Sequence, residues 1–401
     1  MKTRLAPPLA GTPLGDVAET ALRACVHCGM CNATCPTYQL TGDELDGPRG
    51  RIYLMKQALE GATPTKLTLD HLDSCLTCRA CETTCPSSVE YHHLLDIGRA
   101  AVSEAVSRPA SERFQREAIR RLTLSPRLFS ALAAAGRLAA FALPKPLKDK
   151  LPPKAEAGYR PATIHPRTML LLTGCVQSAV ARHFNATTAR VFDRLGVTLI
   201  EAPKVMCCGS VSHHLDAPDA AKAQARANLD AWIPLIDAGA EALIVNSSGC
   251  AAHIADYPSL LADDPAYAPL AARMAALLRD PIQVLSSAQM NPVRPPPNPR
   301  VVIHEPCTLQ HGLKLTGQIP ALLTRLGYEV LPTADGHLCC GSAGAYSLLQ
   351  PKMAGRLRET KLQSLNALDP TAIYTANIGC WMHLSGGTPV RHWIEAVDGV
   401  L

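Results

Sequence analysis

Two copies of one cysteine run constrain the fold of this chain more than any other feature. The first is Cys25-x2-Cys28-x2-Cys31-x3-Cys35-Pro36, and the second is Cys75-x2-Cys78-x2-Cys81-x3-Cys85-Pro86, which follows 50 residues later with identical spacing. Four thiolates on a short looping segment can wrap a cubane of iron and sulfide, and the proline turns the chain away from it. The duplicated run therefore predicts a domain that binds two [4Fe–4S] clusters and carries electrons.

The spacing is typical of two-cluster ferredoxins, in which the fourth cysteine of each run binds the cluster of the other run. On that pattern, the ligands of the first cluster are Cys25, Cys28, Cys31 and Cys85. The ligands of the second cluster are Cys75, Cys78, Cys81 and Cys35. We expect this crossed arrangement to tie both runs into one fold.

Two other uses of cysteine fit the runs less well. Structural zinc takes two pairs of cysteines and does not need the third cysteine or the final Cys-Pro. A disulfide framework is disfavoured because no secretory signal opens the chain, and because 16 cysteines serve 401 residues. We therefore expect a reducing compartment.

The other eight cysteines form two matching sets, which are Cys175, Cys207, Cys208, Cys250 and Cys307, Cys339, Cys340, Cys380. In each set a Cys-Cys-Gly sequence begins 32 residues after the first cysteine. Apolar runs before the first and last cysteine predict buried strands at 169–172, 243–245, 301–303 and 373–374. Helical stretches are predicted between them at 181–195, 220–232, 321–326 and 351–368. The pattern predicts a duplicated α/β domain whose cysteines meet at one sheet edge as a metal or cluster site.

His253 and His383 stand three residues beyond the last cysteine of their sets, on the same face of a predicted helix. Imidazole suits zinc or iron, so both histidines are candidate ligands, and a hydrogen-bonding role behind the ligands is an equal alternative. Buried cysteines also serve as small apolar residues. Core packing, however, gives no reason for the same four cysteines to appear twice.

Positive charge is concentrated between Arg108 and Lys154, where eleven Lys or Arg residues accompany three acidic residues. The segment predicts amphipathic helices broken near Pro126 and Pro144, suited to an anionic membrane surface or an acidic partner. A solvated helical connector is the alternative. Nucleic-acid binding is disfavoured because only 4% of residues are aromatic and no binding motif accompanies the charge. No apolar run reaches the roughly 18 residues of a membrane-spanning helix.

This layout resembles a known family, in which a helical two-cluster ferredoxin domain precedes two Cys-Cys-Gly cysteine-rich domains, as in heterodisulfide reductases and several respiratory dehydrogenases. Five phrases narrow the resemblance to the iron–sulfur subunits of glycolate oxidases. They are RACVHCG at 23–29, GDELDGPRGR at 42–51, YHHLLDIGR at 91–99, TANIGC at 375–380 and VRHWIE at 390–395.

The resemblance implies a complex in which a flavoprotein subunit oxidises glycolate to glyoxylate and a second subunit of the flavin-binding type assists. This chain would pass the electrons on to membrane quinone, from the cytoplasmic side and as a peripheral protein of the inner face of the membrane. The sequence has no G-x-G-x-x-G after a strand, no P-loop and no recognisable flavin-binding phrase. We therefore expect no substrate site in this chain.

Heterodisulfide reductases carry a second cysteine where this chain has His253 and His383, so their non-cubane cluster does not transfer by analogy. A simpler cluster, a zinc ion or an empty dithiol site remains open for each repeat. Three other functions also remain open. They are an iron–sulfur subunit for anaerobic glycerol 3-phosphate or lactate oxidation, a thiol or disulfide reductase, and a zinc-bearing docking scaffold for flavoproteins.

The predicted fold class is a multidomain α+β protein. We expect a helical ferredoxin domain at 1–108, a basic helical connector at 109–165, and a first cysteine-rich repeat at 166–290. A proline-rich hinge at 291–299 and a second repeat at 300–401 complete the layout.

Overall fold

The computed structural model describes residues 1–141, 158–205 and 207–401. The chain forms two compact units. The first unit comprises Met1–Arg116 and His337–Lys361, and the second unit comprises Glu117–Gly336 and Leu362–Leu401. The predicted break near Pro144 lies outside the described residues.

The first unit is helical. Its helices, with two that bridge to the second unit, are α1 Pro13–Ala24, α2 Pro36–Thr41, α3 Pro48–Leu59, α4 Lys66–Asp73, α5 Ala80–Thr83, α6 Tyr91–Ala105, α7 Ala110–Leu124, α18 Tyr346–Leu349 and α19 Pro351–Asn366. Short 3₁₀ turns cover Met30–Thr34 and Glu44–Asp46. Helices α1, α3 and α6 bury Leu22, Met55 and Leu94 completely, and burial of apolar side chains such as these drives the packing of this core.

The second unit contains two four-stranded parallel sheets. Their strands are β1 Arg167–Leu171, β2 Val197–Ile200, β3 Leu243–Ile244, β4 Leu278–Arg279, β5 Arg300–His304, β6 Glu329–Leu331, β7 Ala372–Thr375 and β8 Val390–His392. The orders are β2-β1-β3-β4 and β6-β5-β7-β8, so the two sheets have the same topology. Each central strand is buried on both faces, because helices cover both sides of a parallel sheet.

The helices of the second unit precede, separate and follow these strands along the chain. They are α8 Pro126–Leu138, α9 Cys175–Val180, α10 Arg182–Asp193, α11 Ser210–His214, α12 Pro218–Asp237, α13 Ser248–Ala255, α14 Tyr257–Leu260, α15 Ala268–Leu277, α16 Pro281–Leu285, α17 Gln318–Arg325, α20 Ile378–Leu384 and α21 Trp393–Val400. A π-helical turn covers Thr308–Gly312. The predicted strands and helices all fall on observed elements, with ends that differ by a few residues.

The two sheets are joined by polar contacts between residues at the carboxyl ends of their strands. The Nε2 of His392 lies 2.8 Å from the carbonyl oxygen of Asn246, and the Oγ of Ser247 lies 3.1 Å from the Oδ1 of Asn377. Burial lowers the pKa of His392 to about 3, so the ring is neutral and Nε2 donates to the carbonyl. These contacts hold the loop that follows β3 beside the loop that follows β7 and the end of β8.

The basic connector contains α7 and α8, with the predicted break at Pro126. One face of α8 packs through Ala133 against Phe184 and Trp381. Leu128 and Leu132 of the same helix are exposed to solvent. Within the described residues, no helix is both long enough and apolar enough to cross a bilayer.

Candidate iron–sulfur sites

The two cysteine runs line two cavities of the first unit. The first cavity has an empty volume of about 440 Å³, and its lining includes Cys25, Cys28, Cys31, Cys81 and Cys85. The three early cysteines therefore meet the last cysteine of the opposite run, in the arrangement that the spacing predicted. Cys81 also borders this cavity, because it lies between the two.

The second cavity has an empty volume of about 300 Å³, and its cysteines are Cys35, Cys75, Cys78 and Cys81. Cys35 again comes from the opposite run. Arg51, Arg79 and Tyr91 also line this cavity. The structure thus brings together both predicted sets of four cysteines.

Left-handed backbone shapes both loops. His27 and Gly29 have φ values of 61° and 83°, and the equivalent Thr77 and Arg79 have φ values of 53° and 60°. Such residues reverse the local turn of the chain, which lets successive cysteines face one point and aims backbone amides at it. The Thr77 amide already lies 3.5 Å from the Sγ of Cys75.

The chemistry of these cavities fits iron–sulfur clusters. Burial, followed by the neighbouring Cys25 thiolate, raises the pKa of Cys31 to about 11. Burial and the sulfurs of Cys78 and Cys75 raise the pKa of Cys81 well above its usual value. Buried thiols beside other sulfurs resist ionisation unless a cationic centre compensates their charge, which iron supplies when it binds thiolates.

The first cysteine-rich repeat assembles its four cysteines in a row. The Sγ atoms of Cys175 and Cys207 are 3.2 Å apart, and Cys208 forms thiol hydrogen bonds with Cys207 and Cys250. Hydrogen bonds from Cys175 and Cys208 hold the pKa of Cys207 well below its usual value. The same hydrogen bonds, together with burial, raise the pKa values of Cys175 and Cys208. The row is a chain of thiol contacts beyond the carboxyl ends of β1, β2 and β3.

Two buried polar residues fix the Cys207–Cys208 pair. The Nδ2 of Asn228 donates to the carbonyl oxygen of Cys207 at 3.1 Å, and the hydroxyl of Tyr257 donates to that of Cys208 at 2.7 Å. Sequence analysis did not identify either residue. Their only signal was a polar residue within apolar helices, which many helices contain.

His253 lies on α13, one turn after Cys250, and its side chain is 8% exposed. Its ring centroid is 5.4 Å from that of His213 and 6.4 Å from that of His214. A Cβ added to Gly209 would lie 3.2 Å from the Nε2 of His253. The histidine therefore packs against the backbone that follows the cysteine pair.

The cysteines of the second repeat belong to both units. Cys307 precedes the π-helical turn, and Cys380 is buried in α20 of the second unit, with half-buried His383 one turn later. Cys339 and Cys340 are buried in the first unit, where the Gly341 amide lies 3.4 Å from the Sγ of Cys339. A left-handed glycine follows both pairs, with φ values of 96° at Gly209 and 91° at Gly341.

Comparisons with known proteins identify two kinds of domain in the chain. Residues 21–89 match the family described as a 4Fe-4S dicluster domain, and residues 169–255 and 301–385 match a cysteine-rich domain. These matches confirm the predicted ferredoxin domain and the duplicated cysteine-rich domain.

Similarity to curated proteins extends over the whole chain. It is 47% identical to the glycolate oxidase iron-sulfur subunit of Escherichia coli (strain K12), covering 100% of this chain and 99% of that protein. It is 29% identical to the probable glycolate oxidase iron-sulfur subunit of Bacillus subtilis (strain 168), covering 92% of this chain and 89% of that protein. A crystal structure of a hypothetical protein from Helicobacter pylori shares the fold, with a TM-score of 0.58 at 10% identity over 98% of this chain and 73% of that chain.

Proposed function

Because the chain belongs to the family of glycolate oxidase iron–sulfur subunits, we propose that it accepts electrons from a flavoprotein that oxidises glycolate and passes them to a quinone. The family membership and the 4Fe-4S dicluster domain make it an electron-transfer subunit. The proposed part is the identity of the electron donor, of the oxidised substrate and of the electron acceptor.

The pair of cysteine-lined cavities carries this proposal. We assign Cys25, Cys28, Cys31 and Cys85 to the first cluster, and Cys75, Cys78, Cys81 and Cys35 to the second, since each set lines one cavity. When bound, [4Fe–4S] clusters supply one-electron carriers that divide the two-electron chemistry of a flavin into single steps. The residues around the cavities fix the charges and hydrogen-bond donors that face each cluster.

Metal analysis of the anaerobically purified chain tests the site assignment. About eight irons per chain, matched by acid-labile sulfide, are expected from the two ferredoxin sites. Fewer than four irons would contradict the proposal. The same assay measures zinc, which would fit a structural role for the cysteine-rich repeats.

A single substitution tests the role in electron transfer. Cys78→Ser removes one proposed ligand, and glycolate-dependent quinone reduction by the assembled complex is then expected to fall by at least tenfold. Thr83→Ser is the matched control, because Thr83 is exposed and lies outside the lining of both cavities. Unchanged quinone reduction in Cys78→Ser would contradict the proposal.

We further propose that Cys175, Cys207, Cys208 and Cys250 bind a cluster or a zinc ion. The matching spacing of Cys307, Cys339, Cys340 and Cys380 in the sequence supports the same chemistry for the second repeat. The 3.2 Å distance between the Sγ atoms of Cys175 and Cys207 supports the first assignment, because it brings two potential ligand atoms within reach of one metal centre. His253 packs against Gly209, which supports a role behind the ligands rather than among them. His383 is proposed to act in the same way.

We also propose that the connector rests on the inner face of the cytoplasmic membrane. Phe114 on α7, Leu138 at the end of α8 and Phe141 just beyond it are 77%, 81% and 90% exposed. Arginines lie on both helices. Exposed apolar side chains beside cations suit an anionic bilayer surface. Vesicles with anionic lipid should cosediment less with the triple variant Arg113→Gln, Arg121→Gln, Arg127→Gln than with wild type.

A matched triple variant controls for total charge. Arg182, Lys204 and Arg273 are exposed or partly exposed cations outside the connector, and their change to Gln should leave vesicle binding unaltered. Equal loss of binding in both triple variants would contradict a specific membrane surface on the connector.

A further inference from the structure

Arg51 is a fully buried cation at the second cluster site. Its side chain is 1% exposed and lines the cavity of Cys35, Cys75, Cys78 and Cys81. A guanidinium without water around it is costly, so it must be compensated by nearby negative charge and hydrogen-bond acceptors.

Short contacts hold the Arg51 guanidinium against this cavity. Its Nε donates to the carbonyl oxygen of His71 at 2.8 Å, and its Nη2 donates to the Oγ of Ser74 at 2.7 Å and to the Oγ1 of Thr37 at 3.2 Å. Ser74 directly precedes Cys75, and the Oγ1 of Thr37 is 3.2 Å from the Sγ of Cys35. Each of the two hydroxyls therefore places the cation next to a proposed ligand.

The carboxylate of Asp46 only partly compensates the charge of Arg51. Its Oδ1 is 3.7 Å from Nη2 of Arg51, and it also accepts hydrogen bonds from His71 and Ser74. Among the charged neighbours, the Cys75 sulfur raises the pKa of Arg51 most, ahead of Tyr91, Cys35 and Asp46. The cation thus lies between the Asp46 carboxylate and the cysteine sulfurs of the cavity.

The first cavity has a different electrostatic environment. Its arginine is Arg49, which is 34% exposed and pairs with Glu44 at 2.5 Å. Solvent and a neighbouring carboxylate both weaken the field of such a cation. Among the arginines that line the two cavities, Arg51 alone is buried from solvent, and this distinguishes the second lining from the first.

We propose that Arg51 raises the reduction potential of the cluster held by Cys35, Cys75, Cys78 and Cys81 above that of the other cluster. Reduction adds one negative charge, and a nearby cation in a low-dielectric interior stabilises the reduced form. Arg51 is a positioning and tuning residue rather than a catalytic one. The inference rests on the proposed ligand sets and adds an order of potentials to them.

Potentiometric titration of the full-length chain, followed by electron paramagnetic resonance, tests this proposal. Wild type should show two midpoint potentials, and Arg51→Gln should lower the higher one by at least about 59 mV, which is tenfold in a one-electron equilibrium. The lower midpoint should stay in place. Arg51→Lys keeps the charge and should shift the higher midpoint less than Arg51→Gln does.

Arg108→Gln is the matched control, because Arg108 is also buried in the first unit but pairs with Asp73 and lines neither cavity. It should leave both midpoints unchanged. An unmoved higher midpoint in Arg51→Gln, or an equal shift of both midpoints, would overturn the proposal.

A second variant tests the proposal if the Arg51→Gln protein does not bind the second cluster. Asp46→Asn removes the carboxylate beside Arg51. It should raise the higher midpoint, whereas Arg51→Gln should lower it. An unchanged or lowered midpoint in this variant would also overturn the proposal. Iron and sulfide analysis distinguishes failure of this proposal from failure of the ligand assignment. Wild-type protein that contains fewer than about eight irons per chain would contradict the ligand assignment itself.

Discussion

The hydroxyl of Tyr346 donates a hydrogen bond to the carbonyl oxygen of Ser74, 3.1 Å away, although 272 positions separate the two residues. Ser74 directly precedes Cys75 of the second cavity. Burial raises the pKa of Tyr346, and the nearby Cys75 and Cys339 sulfurs raise it further. Tyr346 therefore links the cluster-bearing helices to the segment that carries the second Cys-Cys-Gly sequence.

Tyr346→Phe should loosen this segment. Loss of one buried hydrogen bond costs about 1 kcal/mol, so amide hydrogen exchange within 337–361 should quicken by about fivefold. Tyr53→Phe is the control, because Tyr53 is 46% exposed and its hydroxyl loss should leave exchange unchanged. Equal exchange rates in Tyr346→Phe and wild type would show that the hydrogen bond does not hold the segment.

Double cysteine variants test the crossed ligand sets. Cys35→Ala with Cys78→Ala removes two proposed ligands of one cluster and should leave about four irons per chain. Cys35→Ala with Cys28→Ala removes one ligand from each cluster and should deplete both. Iron and sulfide analysis of the anaerobically purified variants gives the answer.

The uncrossed alternative predicts the opposite outcome. If each run bound its own cluster, the variant lacking Cys28 and Cys35 would keep about four irons, and the variant lacking Cys35 and Cys78 would lose both clusters. Val26→Ala, at an exposed position of the first run, should retain the full complement.

Local patterns in the sequence predicted most of the fold. Strand and helix positions follow from apolar periodicity, and the cavities follow from cysteine spacing, since neither depends on distant contacts. The difference in burial between Arg49 and Arg51 could not be predicted in this way. They stand two positions apart in one polar phrase, yet only Arg51 is buried, because the packing of α3 against α4 and α6 decides it.

The grouping of His337–Lys361 with the ferredoxin helices was likewise not predictable from sequence. It depends on contacts such as Tyr346 to Ser74, and no local pattern encodes a pairing over that distance. Repetition of the cysteines indicated only that this segment belongs to the second repeat.

Asp280 predicts a pH dependence of stability. The residue is 1% exposed, and burial raises its pKa to about 7, against about 3.9 in an unfolded chain. Its Oδ1 accepts the Ile282 amide, and its Oδ2 has no hydrogen-bond partner among the described residues. The folded state binds the proton of the Asp280 carboxyl group more tightly than the unfolded state does. The contribution of this group to stability is therefore full at low pH and is lost as pH rises through about 7.

Asp280→Asn keeps the Oδ1 acceptor and removes the charge. Its unfolding free energy should exceed that of wild type by a margin that grows from pH 5 to pH 7, at roughly 1.4 kcal/mol per pH unit, and levels off above. Thermal unfolding across this pH range measures the margin. Asp219→Asn, at an exposed position, should show no such trend, and a constant difference for Asp280→Asn would exclude the buried carboxylate as its cause.

The glycine of the second Cys-Cys-Gly sequence should tolerate no side chain. Gly341 has a φ of 91°, and an added Cβ would lie 2.8 Å from the Cβ of Leu357 and 2.9 Å from the carbonyl oxygen of Ala354. Gly341→Ala should therefore lower the thermal midpoint, by backbone strain of about 1–2 kcal/mol together with the clash.

Gly355→Ala is the matched control on the same segment. Gly355 lies within α19, and an added Cβ there would have no neighbour within 4 Å among the described residues. Alanine should raise stability by up to about 1 kcal/mol, since it loses less backbone entropy in a helix. A midpoint that falls equally in both variants would contradict the left-handed requirement at Gly341.

Rapid freezing of the assembled complex after mixing with glycolate tests the central claim most directly. We expect the flavin to be reduced first, and the paramagnetic signals of reduced [4Fe–4S] clusters in this chain to rise before quinol accumulates. Cys78→Ser should remove one of these signals. Quinol that forms while both clusters stay oxidised would contradict an electron-transfer role for this chain.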